Sequence, residues 1–363
     1  MATKNPSNVE TQILHSLRDT PYACSSVKEV RSGLANVTYR GKLSRALHDG
    51  TNSVVIKYSE ETSYSKVPHL RLSTDHCMTE QEVLSAIQNT SAGRVSHKDV
   101  VVQCPRVHHY IPHAKTQILQ DLPHDSTLHE WISNTDAPRD AAKLAMIGEA
   151  LGTWLMRFHV WSESVAGRLS GVVLMNTNST AKDLNRTKLQ SIERQCEDEK
   201  VRGYAADLLS SAPKPGDVVV HGDFSPRNIL IQPSSSSNSE RSSGCSLAII
   251  NWETSCYDHF TRDVASMIAS LYMQKHFSGN DSALTVLQAF VANYSALSKE
   301  EAYMTVAQVG ENFFHWIAYA PETRTEEQVH KVVEYGKALI TMGMEEDREG
   351  IMGTFLRCLL EPE

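Results

Sequence analysis

The sequence predicts an α+β chain in two lobes, a β-rich first lobe and a mostly helical second one. Three observations carry that prediction. The first is length: 363 residues are too many for one ordinary core and suit two. The second is a change of hydrophobic period. Before Asp121 apolar side chains come in short alternating runs, and after it they recur every three or four residues over long stretches. The third is a set of polar, turn-forming loops near the junction. The expected division is 1–121 and 122–363.

In chain order, residues 11–60 read as strands after a short helix. VKEVRSGLANVTYRGKL alternates apolar and polar side chains, and TNSVVIKYSE follows the turn signal His48-Asp49-Gly50. Residues 75–89 have helical spacing, with Met78, Val83, Leu84 and Ile87 on the expected buried stripe. VVVQCPRVHHYI and TQILQDLP read as two more short strands. Residues 139–162 then form a long helix, in which Leu144, Ile147, Leu151, Leu155 and Phe158 mark one face. Gly152 inside it costs roughly 1 kcal/mol, so a close packing contact is expected there. Segments 260–276, 282–298, 301–319 and 325–345 read as helices. In this half only 217–221, 229–232 and 246–251 read as strand. Between the last two lies PSSSSNSERSSG, residues 233–244, a polar low-complexity tip read as a tolerated surface insertion. No internal repeat is visible.

Composition narrows the class. Hydrophobic residues at 40% and charged residues at 21% suit a soluble globular protein. A net charge of −8 gives no electrostatic case for nucleic-acid binding. No run of apolar residues is long enough to span a bilayer, and MATKNPSNVETQ lacks a signal core. Seven cysteines without a CxxC fit a reducing compartment, so the expected address is the cytosol.

The chemistry concentrates in VVVHGDFSPRNILIQ, Val218–Gln232. His221-Gly222-Asp223, four residues, then Asn228 has the H-x-D-x4-N spacing of a phosphoryl-transfer catalytic loop. In that reading Asp223 takes or orients the acceptor proton, Asn228 offers magnesium an oxygen, and His221 braces the loop. Arg227 completes the catalytic candidates. A plain turn between strands is the open alternative, since Gly, Asp, Asn and Pro are all turn formers. Val54-Val55-Ile56-Lys57 matches a strand that carries a phosphate-pairing lysine. Glu80 on the next helix is the candidate to hold Lys57, with Glu82 its rival. Ser32, Gly33, Ala35 and Asn36 form a short loop that could lie over phosphates or be a simple hairpin turn.

These segments, in this order, resemble the aminoglycoside phosphotransferase and choline-kinase-like superfamily of small-molecule kinases, its fungal members above all. TQILQDLP (116–123), HGDFSPRNIL (221–230) and LGTWLMRFHVW (151–161) carry the likeness, which runs over roughly residues 25–345. It implies a bilobal protein-kinase-like fold with ATP and Mg2+ as cofactors. It places adenine at the backbone of Gln120, Asp121 and Leu122, and it has Asp263 bracing the catalytic loop. The same family ends its second metal strand in Asp-Trp-Glu, whereas this chain has Asn251-Trp252-Glu253. Asn251 keeps a carbonyl oxygen but loses the charge that magnesium favours.

Two functions follow. One is an ATP-dependent phosphotransferase acting on a small-molecule hydroxyl, with Asn228 and Asn251 on the metal. The other is a degenerate kinase that binds nucleotide or metabolite, repurposed for a non-phosphoryl step in secondary metabolism. Helical spacing puts Asn312, His315, Trp316 and Tyr319 on one face, a candidate acceptor surface whose aromatic members could equally be core. The acidic trio Glu345, Glu346 and Asp347 reads as a solvated helix end. The acceptor and the oligomeric state are left open.

Overall fold

The computed structural model describes residues 6–32, 36–59, 76–122, 126–134, 139–169, 178–211, 218–233, 244–294, 297–317 and 320–360. Its N-terminal part is built on a five-stranded antiparallel sheet of β1 (Cys24–Ser32), β2 (Val37–Leu43), β3 (Ser53–Tyr58), β7 (Thr116–Gln120) and β6 (Val107–Ile111), in that spatial order. The strand period of two sorts the side chains of β3. Val54 and Ile56 are fully buried against α1 (Pro6–Leu17), which contributes Val9, Ile13 and Leu17. Val55 and Lys57 therefore point to the other face, toward the main core.

Helix α2 (His76–Ile87) lies on that second face and touches the turn Trp252–Thr254. Val83, Leu84 and Ile87 are buried as the spacing predicts, but Met78 is 38% exposed and Cys77 takes the inward position. Strands β4 (Arg94–His97) and β5 (Val100–Gln103) form a hairpin that does not join the first sheet. Instead β5 pairs in parallel with β11 (Cys245–Ile249), Val100 opposite Cys245 through Gln103 opposite Ala248. The second sheet is thus β4-β5-β11-β10-β8, with β10 at Ile229–Pro233 and β8 at Ser126–Thr127. This ladder ties the early residues rigidly to the hairpin that follows the catalytic-loop motif. Strand β9 (Val218–Val220) belongs to neither sheet and pairs with β12 (Cys256–Asp258).

The rest is helical. Helix α3 (Leu128–Ser133) is closed by a capping box of Thr127 and Glu130. Helix α4 (Ala141–Leu169) buries Leu144, Ile147, Leu151, Leu155 and Phe158. Gly152 has the close contact that was expected: a Cβ there would stand 2.4 Å from the Phe290 carbonyl oxygen of α8 (Ser282–Tyr294). Helices α5 (Ser179–Gln195) and α6 (Glu199–Ser210) were not expected. The buried face of α5 includes Thr180, Lys188 and Ser191, polar positions that a hydrophobic period does not register, while α6 buries Val201 and Ala205. Helices α7 (Thr261–Ser278), α9 (Lys299–Trp316), α10 (Glu326–Met344) and the short α11 (Arg348–Met352) complete the chain. Asp347 of the acidic trio N-caps α11, and Glu345 and Glu346 pair with Lys200 and Lys299. All seven cysteines are free, and no described helix is long and apolar enough to cross a membrane. The whole is a β-rich N-terminal part against a helical C-terminal part, an α+β kinase-like architecture. The Ser-rich segment lies, but for its two ends, outside the described residues.

Candidate active site

Lys57 and the catalytic-loop motif, far apart in sequence, meet through one continuous hydrogen-bonded chain. Lys57 Nζ donates to Glu80 Oε1 and Oε2 at 2.7 and 2.9 Å, to Asn251 Oδ1 at 3.0 Å and to Glu253 Oε2 at 3.4 Å. Asn251 Nδ2 donates to Asn228 Oδ1 at 2.8 Å, and Asn228 Nδ2 donates to Asp223 Oδ2 at 2.7 Å. Glu80, not Glu82, makes the lysine pair, and it also accepts the Trp252 backbone N–H at 3.1 Å. Lys57 and Glu80 are almost wholly buried. Burial works against the charge on Lys57, but the carboxylates of Glu253 and Glu80 outweigh it and hold its pKa above the ordinary range. The ammonium is therefore present at any physiological pH.

The backbone places these groups. Asn251 sits at φ 65°, in the left-handed region that Asn tolerates better than branched residues, and so turns its amide back toward Lys57. Gly222 has φ 84°, and a Cβ there would stand 2.3 Å from the Thr254 carbonyl oxygen, so only glycine fits. Asp263, in the first turn of α7, is fully buried and accepts the N–H groups of His221 and Gly222 at 2.7 and 2.9 Å. It also meets His159 Nε2 at 3.2 Å, whose other ring nitrogen reaches Tyr294. Burial opposes its charge, yet these hydrogen bonds, led by that of His159, hold the Asp263 carboxyl below the usual range.

His221 is fully buried and neutral, its pKa lowered by burial against the pull of Asp263. Its Nε2 serves the Ile250 carbonyl at 3.0 Å and its Nδ1 accepts the Asp223 N–H at 3.3 Å. Both ring nitrogens are thus engaged within the loop. Arg227 lays its guanidinium over the Trp316 ring at 5.5 Å and is close enough to Asp223 to act on its charge. Asp223 itself is partly buried, and its carboxyl is pushed up to about 7. Burial is the main cause, with Glu253 and Asp263 adding to it, while the Asn228 hydrogen bond and Arg227 pull the other way. A carboxyl so tuned can take a proton near neutrality.

Other expected positions are mixed. Gly33 and Ala35 lie outside the described residues, and Ser32 is the last residue of β1. Asn36 is buried, with its amide oxygen accepting from Ser59 Oγ, so its side chain faces the sheet rather than a phosphate. Gln120 spends its N–H on the Arg106 carbonyl at 2.8 Å. Asp121 pairs with Arg40 Nε at 3.0 Å and Leu122 is buried, so this connector is held from the first sheet. On α9, Phe313, Trp316 and Asn312 are buried, and Tyr319 lies outside the described residues. Asn178 was not foreseen: it caps α5 and donates to the carbonyls of Glu253 and Ser255 at 2.9 and 2.8 Å, fixing the turn after Asn251. Among the described residues, no group of three or more His, Cys, Asp and Glu is arranged to hold a metal.

Comparison with known proteins agrees with this architecture. The family model described as "Phosphotransferase enzyme family" matches residues 44–302. Phosphotransferase FrzJ of Cladobotryum sp is 28% identical over 369 residues, covering 94% of both chains. The GDP and kanamycin complex of APH(2")-IIia has a TM-score of 0.50 at 14% identity, over 94% of this chain and 99% of that one. Amicoumacin kinase hAmiN, in complex with AMP-PNP, Ca2+ and Ami, also has a TM-score of 0.50, at 12% identity over 93% and 96%. With the model matching well over half its length, the chain belongs to the phosphotransferase enzyme family.

Proposed function

We propose that the protein transfers the γ-phosphoryl group of ATP to a hydroxyl of a small molecule. The observation that carries this is the unbroken chain Glu80–Lys57–Asn251–Asn228–Asp223, which links a permanent buried cation to a carboxylate titrating near 7. Phosphoryl transfer needs positioning and charge stabilisation more than covalent chemistry, and these groups supply both. Lys57 pairs with phosphate oxygens and Glu80 keeps it aimed. Asp223 accepts the proton of the acceptor hydroxyl, or orients that hydroxyl. Asp263 and His221 hold the loop so that Asp223 stays where it is. The residues 1–121 are read as the nucleotide lobe and 122–363 as the lobe that presents the acceptor.

The donor set fits magnesium, a hard ion that takes oxygen ligands. Asn228 Oδ1 and Asn251 Oδ1 are carbonyl oxygens on the same chain of contacts, and Asp223 and Glu253 bring carboxylates beside them. When bound, the ion would neutralise charge on the β- and γ-phosphates. The AMP-PNP and Ca2+ bound to hAmiN support a nucleotide with a divalent cation in this fold.

The test is ADP release over a panel of small hydroxyl compounds, with and without Mg2+. Acceptor-dependent ADP that disappears in Asp223→Ala supports the reading. A magnesium-independent thermal shift by ATP, with no acceptor turned over, would instead favour nucleotide binding without transfer. The neutral Asn251 in a metal position is the observation behind that second reading.

A further inference from the structure

Tyr294 ends α8 in the main core, 5% exposed, and its hydroxyl lies 2.8 Å from Nδ1 of His159, itself 4% exposed on α4. Glycines let the two helices come this close. A Cβ at Gly148 would stand 2.4 Å from the Val286 carbonyl oxygen, as one at Gly152 would from that of Phe290. His159 follows Gly152 by seven residues, two helical turns, and so shares its face of α4. The Phe260 ring, 6.0 Å from both the imidazole and the phenol, packs over the contact. Beyond His159 stands Asp263, whose Oδ2 is 3.2 Å from Nε2 and whose two oxygens accept the loop N–H groups. That Nε2 contact is the longest in the chain, so it does not by itself fix the plane of the ring.

The partners dictate where the hydrogens are. Burial works against the charge on Asp263, yet His159 and the loop N–H groups keep it a carboxylate, and a carboxylate only accepts. His159 Nε2 must then carry a hydrogen. Burial, followed by the charges of Asp263 and Glu301, raises the Tyr294 pKa, so the phenol keeps its hydrogen and donates it to the Nδ1 lone pair. The opposite tautomer would set a lone pair on Nε2 against the carboxylate. We infer that Tyr294 is a positioning residue for phosphoryl transfer: its hydrogen bond pins the His159 ring with the hydrogen on Nε2, and the Asp263 carboxylate so oriented holds the N–H groups of His221 and Gly222 that aim Asp223. The inference rests on Asp223 handling the acceptor hydroxyl and extends that reading to a residue of the core. Gly222 is held at φ 84° immediately before Asp223, so a turn of the Asp263 carboxylate would pass straight to the reacting side chain.

The test reads the ring, the loop and turnover separately. Nitrogen NMR of the full-length protein labelled at histidine, at mildly alkaline pH, identifies His159 as the imidazole absent from His159→Gln. The expected spectrum has the hydrogen on Nε2 in wild type, and an Nδ1 signal that moves in Tyr294→Phe because its donor is gone. Amide exchange at His221 and Gly222 should quicken about tenfold in Tyr294→Phe, with the β10 and β11 amides unchanged. In the same variant kcat should fall about tenfold at unchanged KM for ATP. His159→Gln offers an oxygen to Tyr294 and an N–H to Asp263, so it should keep kcat within about threefold of wild type, whereas His159→Leu should fall at least as far as Tyr294→Phe. A hydrogen on Nδ1 in wild type, exchange at His221 and Gly222 that does not respond, or exchange that rises equally in β10 and β11 overturns the inference. The NMR and exchange readings need no acceptor. If they come out as expected while no hydroxyl compound is phosphorylated, the positioning of the loop stands and phosphoryl transfer falls. ADP release that Tyr294→Phe leaves unchanged sinks the inference alone.

Discussion

Asp223→Asn tests the electrostatics of the site through stability and activity together. Asparagine keeps the shape and can still accept the Asn228 Nδ2 hydrogen bond now made at 2.7 Å. In the folded protein the Asp223 carboxyl rises from 3.8 to about 7. At about 1.4 kcal/mol for each tenfold change in proton affinity, that rise corresponds to roughly 4 kcal/mol. The folded state therefore keeps a proton that the unfolded chain gives up at pH about 4. This contribution is complete below that pH and is lost as the pH climbs through about 7. Wild type should accordingly lose about 3 kcal/mol relative to Asp223→Asn between pH 5 and pH 8. Urea midpoints at four pH values, read at constant m, measure the difference. The same carboxyl should give kcat/KM an acid limb with an apparent pKa near 7, and the variant should lose about 10²- to 10⁴-fold in rate. A stability gap that does not change with pH would refute the argument, because it would mean Asp223 is ionised in both states throughout.

Three further changes follow from the same geometry. Lys57→Met leaves Glu80 buried without its cation, so stability should fall by about 3–5 kcal/mol and ATP should no longer raise the melting temperature in calorimetry. Asn251→Asp keeps a residue type that accepts the left-handed backbone and adds a carboxylate for magnesium. The Mg2+ concentration needed for half of the ATP thermal shift should drop about tenfold. Gly152→Ala drives a methyl against the Phe290 carbonyl, which should cost about 1–3 kcal/mol in urea unfolding while the ATP-induced shift stays as in wild type.

What the sequence disclosed divides by the range of the interactions. The spacing from His221 to Asn228 and the strand that carries Lys57 are local, so they can be read directly. The helices after residue 260 and the stripe of α4 are legible because apolar residues do the burying. Helix α5 escapes because polar groups share the burying there. Lys188 is nearly buried yet paired with Glu311 at 3.1 Å, a contact that no periodicity encodes. Strand β5 falls within VVVQCPRVHHYI, which reads as strand, but its partners β4 and, some way along the chain, β11 are not signalled there, and pairing at that range leaves no local signature. The same holds for Asn178, His159 and Tyr294. Each supports the loop across a tertiary contact, and each looks ordinary in its own stretch of sequence.

The substitution at 251 also makes electrostatic sense once the neighbours are in view. Lys57 has three N–H donors, and they go to Glu80, Asn251 and Glu253. One buried cation thus already faces two carboxylates. A third at 251 would repel Glu80 and Glu253, which offsets its attraction to Lys57, and it would take from Asn228 Oδ1 the N–H donated at 2.8 Å. That penalty stays in force until a metal ion arrives. Asparagine supplies the oxygen that Lys57 needs and the N–H that Asn228 needs, with no charge to offset. The arrangement therefore favours a cleft that is complete and stable before nucleotide binds. On this argument the neutral residue is matched to its neighbours rather than being decay of a carboxylate site, and Asn251→Asp should tighten magnesium while lowering the melting temperature of the nucleotide-free protein.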